Sequence, residues 1–207
     1  AASDVYKRQI DDLARHGVLG SVRNVPDGFA PGSDTAIMSI FGCSPRKYFF
    51  GRAPLEAAAS GIRLAPGDAC YRCNMVSYAD EDVPFEHKHI ISHSAGSIEG
   101  RESDELVTAL FNHPDFRPLA EQAGMVVHKG SSFRHIAVQS HVDIKGIRLA
   151  PPHDHLGEEI GPILPTGCPN ADVLRELMRR SFDILDQHPI NVCLLYTSPS
   201  PRDGATS

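Results

Sequence analysis

Apolar residues recur along this chain at two different spacings, and the changes between them divide it into elements. Over residues 171–186, Val173, Leu174, Leu177, Met178, Phe182 and Leu185 fall on one face of a 3.6-residue repeat, with charged residues between them. This is the strongest helix signal in the sequence. Leu106, Val107, Leu110 and Phe111 predict a second helix over 102–111. Residues 10–16 carry a similar pattern, which stops at Gly17. Shorter helices are expected over 35–41, ended by Gly42, and over 54–60, opened by Pro54 and closed by Gly61.

Strand-like runs occupy 18–25, 69–78, 88–92, 125–129 and 133–139, and Gly130-Ser131-Ser132 between the last two signals a hairpin. Residues 65–68 read as a turn and 150–155 as a loop. Strands alternating with helices indicate an α/β or α+β build. The acidic, loop-like run over 79–86 is the expected junction between two domains.

Composition narrows this picture. A chain of 207 residues, 41% hydrophobic, can fill one full core or two small ones. The net charge of −6 argues against non-specific nucleic-acid binding. No apolar run approaches the ~20 residues of a membrane-spanning helix. Cys70-Tyr71-Arg72-Cys73 has CxxC spacing, but no second pair follows and the flanks read as a strand. Reduced, partly buried thiols are therefore expected.

The two ends read differently from the rest. Residues 4–9 and 193–203 resemble a translated sequencing adapter. Residues 1–9 and 193–207 are thus expected to be artefact, the latter a disordered tail rich in Ser and Pro. The natural sequence is expected to span 10–192.

Candidate chemistry begins at Pro31-Gly32-Ser33-Asp34, where a Gly/Pro turn runs into a short apolar helix. Ser33 is placed as its N-cap, with Asp34 in the first turn. A hydroxyl there faces free N–H groups and the positive end of the helix dipole, a setting suited to a phosphoryl group. Read alone, the motif is equally an ordinary cap. Arg52 precedes a second Pro-started helix, where a guanidinium fork suits a bound phosphate or carboxylate. Alternation puts Arg72 and Asn74 on one strand face, with Cys70 and Cys73 facing differently. Arg134 and His135 repeat the theme. Pro151-Pro152 stiffens a loop that presents His153 and Asp154, and Ser94 lies in the small-residue loop 92–96. His16, His87, His113, His128 and His188 show no metal-ligand spacing.

Taken in order, Pro31-Gly-Ser-Asp34, 51–57, Pro66-Gly-Asp68, Arg72-Cys-Asn74, Ser94-Ala-Gly96, Phe133-Arg-His135 and Pro151-Pro-His-Asp154 resemble the archaeal-type, cofactor-independent phosphoglycerate mutase family of the alkaline phosphatase superfamily. The resemblance implies an α/β fold: residues 10–80 as a partial phosphatase-like core carrying the nucleophile, and 81–192 as an inserted α+β domain. It implies that Ser33 is a metal-bound nucleophile, taking the phosphoryl group from 3-phosphoglycerate and returning it to the 2-hydroxyl. It also implies two Mn²⁺ or Mg²⁺ ions, a role in glycolysis and a cytoplasmic setting. Arg52, Arg72, Asn74, Ser94, Arg134, His135, His153 and Asp154 become substrate-binding residues, several in a pocket between core and insert. The family's other metal ligands should lie upstream of residue 10 and beyond 191, so the chain as given is expected to be inactive. Two alternatives stay open: a homoserine kinase-like phosphotransferase of the same family, and a non-catalytic binding module.

Overall fold

The computed structural model describes residues 2–18, 20–98 and 100–191. The chain separates into two compact units, divided between Arg52 and Ala53. The adapter-like tail lies outside the described residues.

The first unit holds three helices, α1 (Ala2–His16), α2 (Ser33–Ile40) and α3 (Pro45–Tyr48). The expected helix over 10–16 reaches back through residues 2–9. Residues 18 and 20–25 form no strand, because the unit offers their backbone no partner strand among the described residues. Val18 and Val22 stand exposed as a result. Within α2, Thr35 is buried, whereas Ile37 and Ile40 are exposed along with the following Phe41.

The second unit is built on a three-stranded antiparallel sheet, ordered β1 (Ala69–Asn74), β5 (Arg134–Gln139), β4 (Met125–His128). The hairpin joining β4 to β5 matches the expected one. It depends on Gly130, where an added Cβ would overlap the Arg134 carbonyl oxygen. β1 pairs with β5 along its whole length, from Ala69 opposite Gln139 to Asn74 opposite Arg134. One sheet therefore spans the junction expected at 79–86. A small second sheet pairs β2 (Ser77–Tyr78) with β3 (Ile90–Ser92).

The sheet is covered on both faces. Ala69, Tyr71 and Ala137 pack with Leu110 of α5 (Gly100–Asn112), Ala120 of α6 (Arg117–Gln122), and Leu174 and Leu177 of α7 (Asn170–Asp186). On the opposite face Ile136, Val138 and Cys70 pack with Ala57 of α4 (Arg52–Ala59). Each fully buried Leu or Ile contributes about 1.5–3 kcal/mol. Cys70 thus shares a face with Arg72 and Asn74, as their i, i+2 spacing requires, and only Cys73 faces away with Tyr71.

A polar triad locks α7 to the sheet. Asn170 Nδ2 donates to Gln139 Oε1 at 2.8 Å and to the Tyr71 hydroxyl at 3.1 Å. Gln139 Nε2 donates to Asn170 Oδ1 at 2.9 Å and to the Ala123 carbonyl at 3.0 Å. All three residues are buried. The mixture of helices and antiparallel strands fits the expected α/β class.

Candidate functional site

The candidate residues fall into two groups, one in each unit. In the first unit, Gly32 and not Ser33 is the N-cap of α2. Its backbone is extended, and its carbonyl accepts the Ala36 N–H at 3.1 Å. Asp34 folds back over this start, its Oδ1 accepting the Thr35 N–H at 2.8 Å. A Cβ at position 32 would sit 2.5 Å from that same oxygen, so glycine makes the room. The Thr35 hydroxyl donates to the Gly32 carbonyl at 3.2 Å. Asp34 and Thr35 thereby do the work expected of Ser33, and Ser33 becomes the first residue inside the helix. It is exposed, and its hydroxyl has no protein hydrogen bond among the described residues. It stands at the turn where helical N–H groups lack intrahelical acceptors. Arg52 Nε lies 4.0 Å from Asp34 Oδ2 and opens α4, so Pro54 is the third residue of that helix rather than its first.

In the second unit, Arg72 Nε donates to Glu56 Oε2 at 3.1 Å, which ties β1 to α4 and balances the charge of Arg72. Further along the same face, Asn74 stands opposite Arg134 at the sheet's end. Asn74 Oδ1 is buried and accepts no hydrogen bond from the described residues. Arg134 is exposed, its guanidinium 4.5 Å from the centre of the Phe133 ring, and it forms no ion pair among the described residues. Phe133 in turn meets the ring of His93 edge-on, with centroids 6.2 Å apart. His93 meets His153, again at 6.2 Å and edge-on. His153 Nε2 lies 3.6 Å from Asp154 Oδ1.

Arg134, His153 and Asp154 are thus brought into one row through Phe133 and His93. Sequence patterning assigns neither of those two residues a role: His93 sits among the small residues of the loop 92–96, and Phe133 only adjoins Arg134.

Two expected pocket residues have other duties. Ser94 is buried, and its hydroxyl accepts the Ser97 N–H at 3.3 Å. Ser92 Oγ accepts the N–H of Ser94 and of Gly96 at 3.3 and 2.9 Å, so the loop closes on itself. His135 is only 1% exposed. Its Nδ1 accepts the Gly130 N–H at 3.3 Å, which leaves the proton on Nε2. Nε2–H then donates to Ser103 Oγ at 2.9 Å, and Ser103 donates to the Ser132 carbonyl at 2.7 Å. Burial pushes the pKa of this imidazole down. Contrary to its expected place in a pocket, His135 is a neutral residue engaged at both nitrogens. Alternation along β5 explains this, because it sends His135 to the face opposite Arg134.

Among the described residues, no three His, Cys, Asp or Glu side chains converge in a group able to hold a metal ion. These residues do not by themselves compose the two-ion site that the resemblance implies. Nor does any helix among the described residues have the length and apolarity to cross a membrane. A concavity of ≈ 340 Å³ between Phe85, Leu164 and α7 is lined by Arg175 and Arg179, but both already meet acidic neighbours on their own helix, Asp172 and Glu176.

Comparison with known proteins places this geometry in a family. Residues 14–191 match the family described as 2,3-bisphosphoglycerate-independent phosphoglycerate mutase. The chain is 39% identical to 2,3-bisphosphoglycerate-independent phosphoglycerate mutase 2 of Methanothermobacter thermautotrophicus, over 90% of this chain and 42% of that protein. It is 37% identical to the Methanosarcina mazei protein of the same description, over 94% of this chain and 46% of that one. The solved cofactor-independent phosphoglycerate mutase of Thermoplasma acidophilum superposes with a TM-score of 0.53 at 26% identity, covering 81% of this chain and 43% of that one. The chain therefore spans less than half the length of these relatives. With 178 residues (14–191) under one family description, this chain belongs to the 2,3-bisphosphoglycerate-independent phosphoglycerate mutase family.

Proposed function

We propose that this chain is the nucleophile-bearing part of a phosphoglycerate mutase, and that Ser33 is the phosphoryl acceptor. The observation that carries the reading is the exposed Ser33 hydroxyl, without a protein hydrogen bond, at the open first turn of α2 with Asp34 and Arg52 beside it. In the proposed reaction, Ser33 Oγ forms a bond to phosphorus as the bond to the substrate's 3-oxygen breaks. The Ser33 proton leaves, and the freed 3-oxygen takes up a proton. The glycerate then presents its 2-hydroxyl, whose oxygen bonds to phosphorus as it loses its proton, while the Ser33 Oγ–P bond breaks and Ser33 Oγ regains a proton. The positive end of α2 and the Arg52 guanidinium favour the negative charge of the transferring group.

In the second unit, Arg134, His153 and Asn74 are read as contacts for the anionic substrate, and Arg72 as a residue held in place by Glu56. A division of the longer enzyme into a partial core and an inserted domain is kept, with β1 on the side of β5, to which it is paired, rather than divided from it at the boundary expected between 80 and 81. Dependence on Mn²⁺ or Mg²⁺ and a cytoplasmic, glycolytic setting complete the reading. The ligands for such ions have to come largely from outside the described residues.

The test is turnover by a polypeptide extended in frame to the length of its relatives. Incubated with 3-phosphoglycerate and Mn²⁺ and followed by ³¹P NMR, it should form 2-phosphoglycerate, and Ser33→Ala should not. Phosphorylation of homoserine from ATP with no mutase activity would replace this reading with that of a kinase. Neither activity would favour a binding module.

A further inference from the structure

We infer that His93 is a further substrate-contacting residue, which joins Arg134 and His153 in gripping the phosphate of a small phosphorylated acid. The inference rests on the anionic-substrate reading of the second unit. It goes beyond that reading by assigning a residue whose role neither the motifs nor the comparisons supply.

Three separate segments meet at His93: the loop after β3, the residue preceding β5, and the turn at 152–154. The imidazole lies edge-on to Phe133 at an interplanar angle of 80° and to His153 at 66°. Edge-to-face packing of this kind orients a ring without using its nitrogens. Among the described residues, neither nitrogen of His93 takes part in a hydrogen bond or ion pair. The other histidines of this region behave differently. His87 meets Glu159 at 3.2 Å, His89 meets Glu81 at 3.0 Å, and His155 meets Glu158 at 2.8 Å. His135 is saturated by Gly130 and Ser103.

Phe133 stands between two basic side chains, with Arg134 over its face and His93 at its edge. Within this row the only carboxylate is Asp154, at its far end beside His153. A guanidinium and two imidazoles grouped around an apolar ring, with one acid among them, favour an anion. Asn74, opposite Arg134 at the adjoining strand position, has a buried Oδ1 that takes no hydrogen bond among the described residues.

The test is ligand titration of the 207-residue chain at pH 7, with histidine ring resonances followed by NMR. The probes are 3-phosphoglycerate and inorganic phosphate. Both should shift His93 and His153 and leave His155 unmoved. His93→Phe keeps the aromatic packing and removes the nitrogens, so it should weaken 3-phosphoglycerate binding roughly tenfold, the worth of one charge-assisted hydrogen bond. His93→Gln, which keeps a donor, should recover part of that loss. Wild-type affinity in His93→Phe would show that the ring only packs, and would overturn the inference. Binding that shifts His153 but not His93 would overturn it too, while leaving the broader substrate reading standing. No binding of either probe would sink both claims for this unit, and the role of Ser33 would still be decided separately by phosphoryl transfer.

Discussion

Replacing Ser103 by alanine is a sharp probe of how the second unit is held together. Ser103 is fully buried on α5, and its single hydroxyl serves two partners. It accepts the Nε2–H of His135 and donates to the Ser132 carbonyl. Alanine fits the space but leaves both groups dry and unpaired, each at about 1–3 kcal/mol, so Ser103→Ala should cost about 2–6 kcal/mol in all. That is a large share of the ~5–15 kcal/mol typical of a domain. The chain has no tryptophan, so urea unfolding followed by far-UV circular dichroism is the suitable assay. The midpoint should fall with the slope unchanged. In a double-mutant cycle with His135→Leu, the two costs should be strongly non-additive, because each variant breaks the same bond.

The pH dependence supplies an independent sign. Burial holds the His135 pKa below the ordinary 6.5, so below that pH the unfolded chain binds the proton that the folded chain refuses. This contribution to stability is present above pH ~6.5 and declines as pH falls toward the folded-state pKa. His135→Leu should flatten that part of the profile. A Ser103→Ala cost under ~0.5 kcal/mol, with additive energies in the cycle, would refute the network as described.

Other outcomes follow from the same geometry. Asn170→Leu breaks the triad with Tyr71 and Gln139 and should destabilise the chain by about 2–3 kcal/mol, measurable by the same unfolding experiment. Thiol alkylation under native conditions should label exposed Cys43 well before Cys73, whose pKa burial pushes up to about 11; peptide mass spectrometry gives the order. The hydrogen bond between Glu81 and His89 raises the His89 pKa and lowers that of Glu81. The pair's stabilisation should therefore be lost as pH rises through the raised His89 value, and lost again as pH falls through the depressed Glu81 value. An NMR titration of Glu81→Gln should show His89 returning toward its ordinary value.

The sequence carried the second unit's local structure well and its long-range structure poorly. The apolar stripe over 171–186 became α7 almost residue for residue, and the 125–139 hairpin formed where Gly130 required it. Both signals are local. The pairing of β1 with β5 joins residues sixty to seventy positions apart, and no spacing rule announces it. That pairing is what sends Arg134 and His135 to opposite faces and separates two residues that the motif had grouped together. Residues 18 and 20–25 show the converse: strand-like composition produced no strand where no partner was available among the described residues.

The Pro31–Asp34 motif announces the start of α2 but not its cap, because Asp34 and Thr35 compete for the same helix end. His93 was hidden for a related reason. Its importance comes from Phe133 and His153, which are distant in sequence and meet it only in the folded chain.

The central claim is that Ser33 accepts the phosphoryl group. Its most direct test is to quench the in-frame extended polypeptide during turnover of 3-phosphoglycerate and map phosphate by mass spectrometry. The account predicts phosphoserine at Ser33, absent from Ser33→Ala together with all formation of 2-phosphoglycerate. Sustained turnover by Ser33→Ala, or phosphate trapped on another residue, would contradict it.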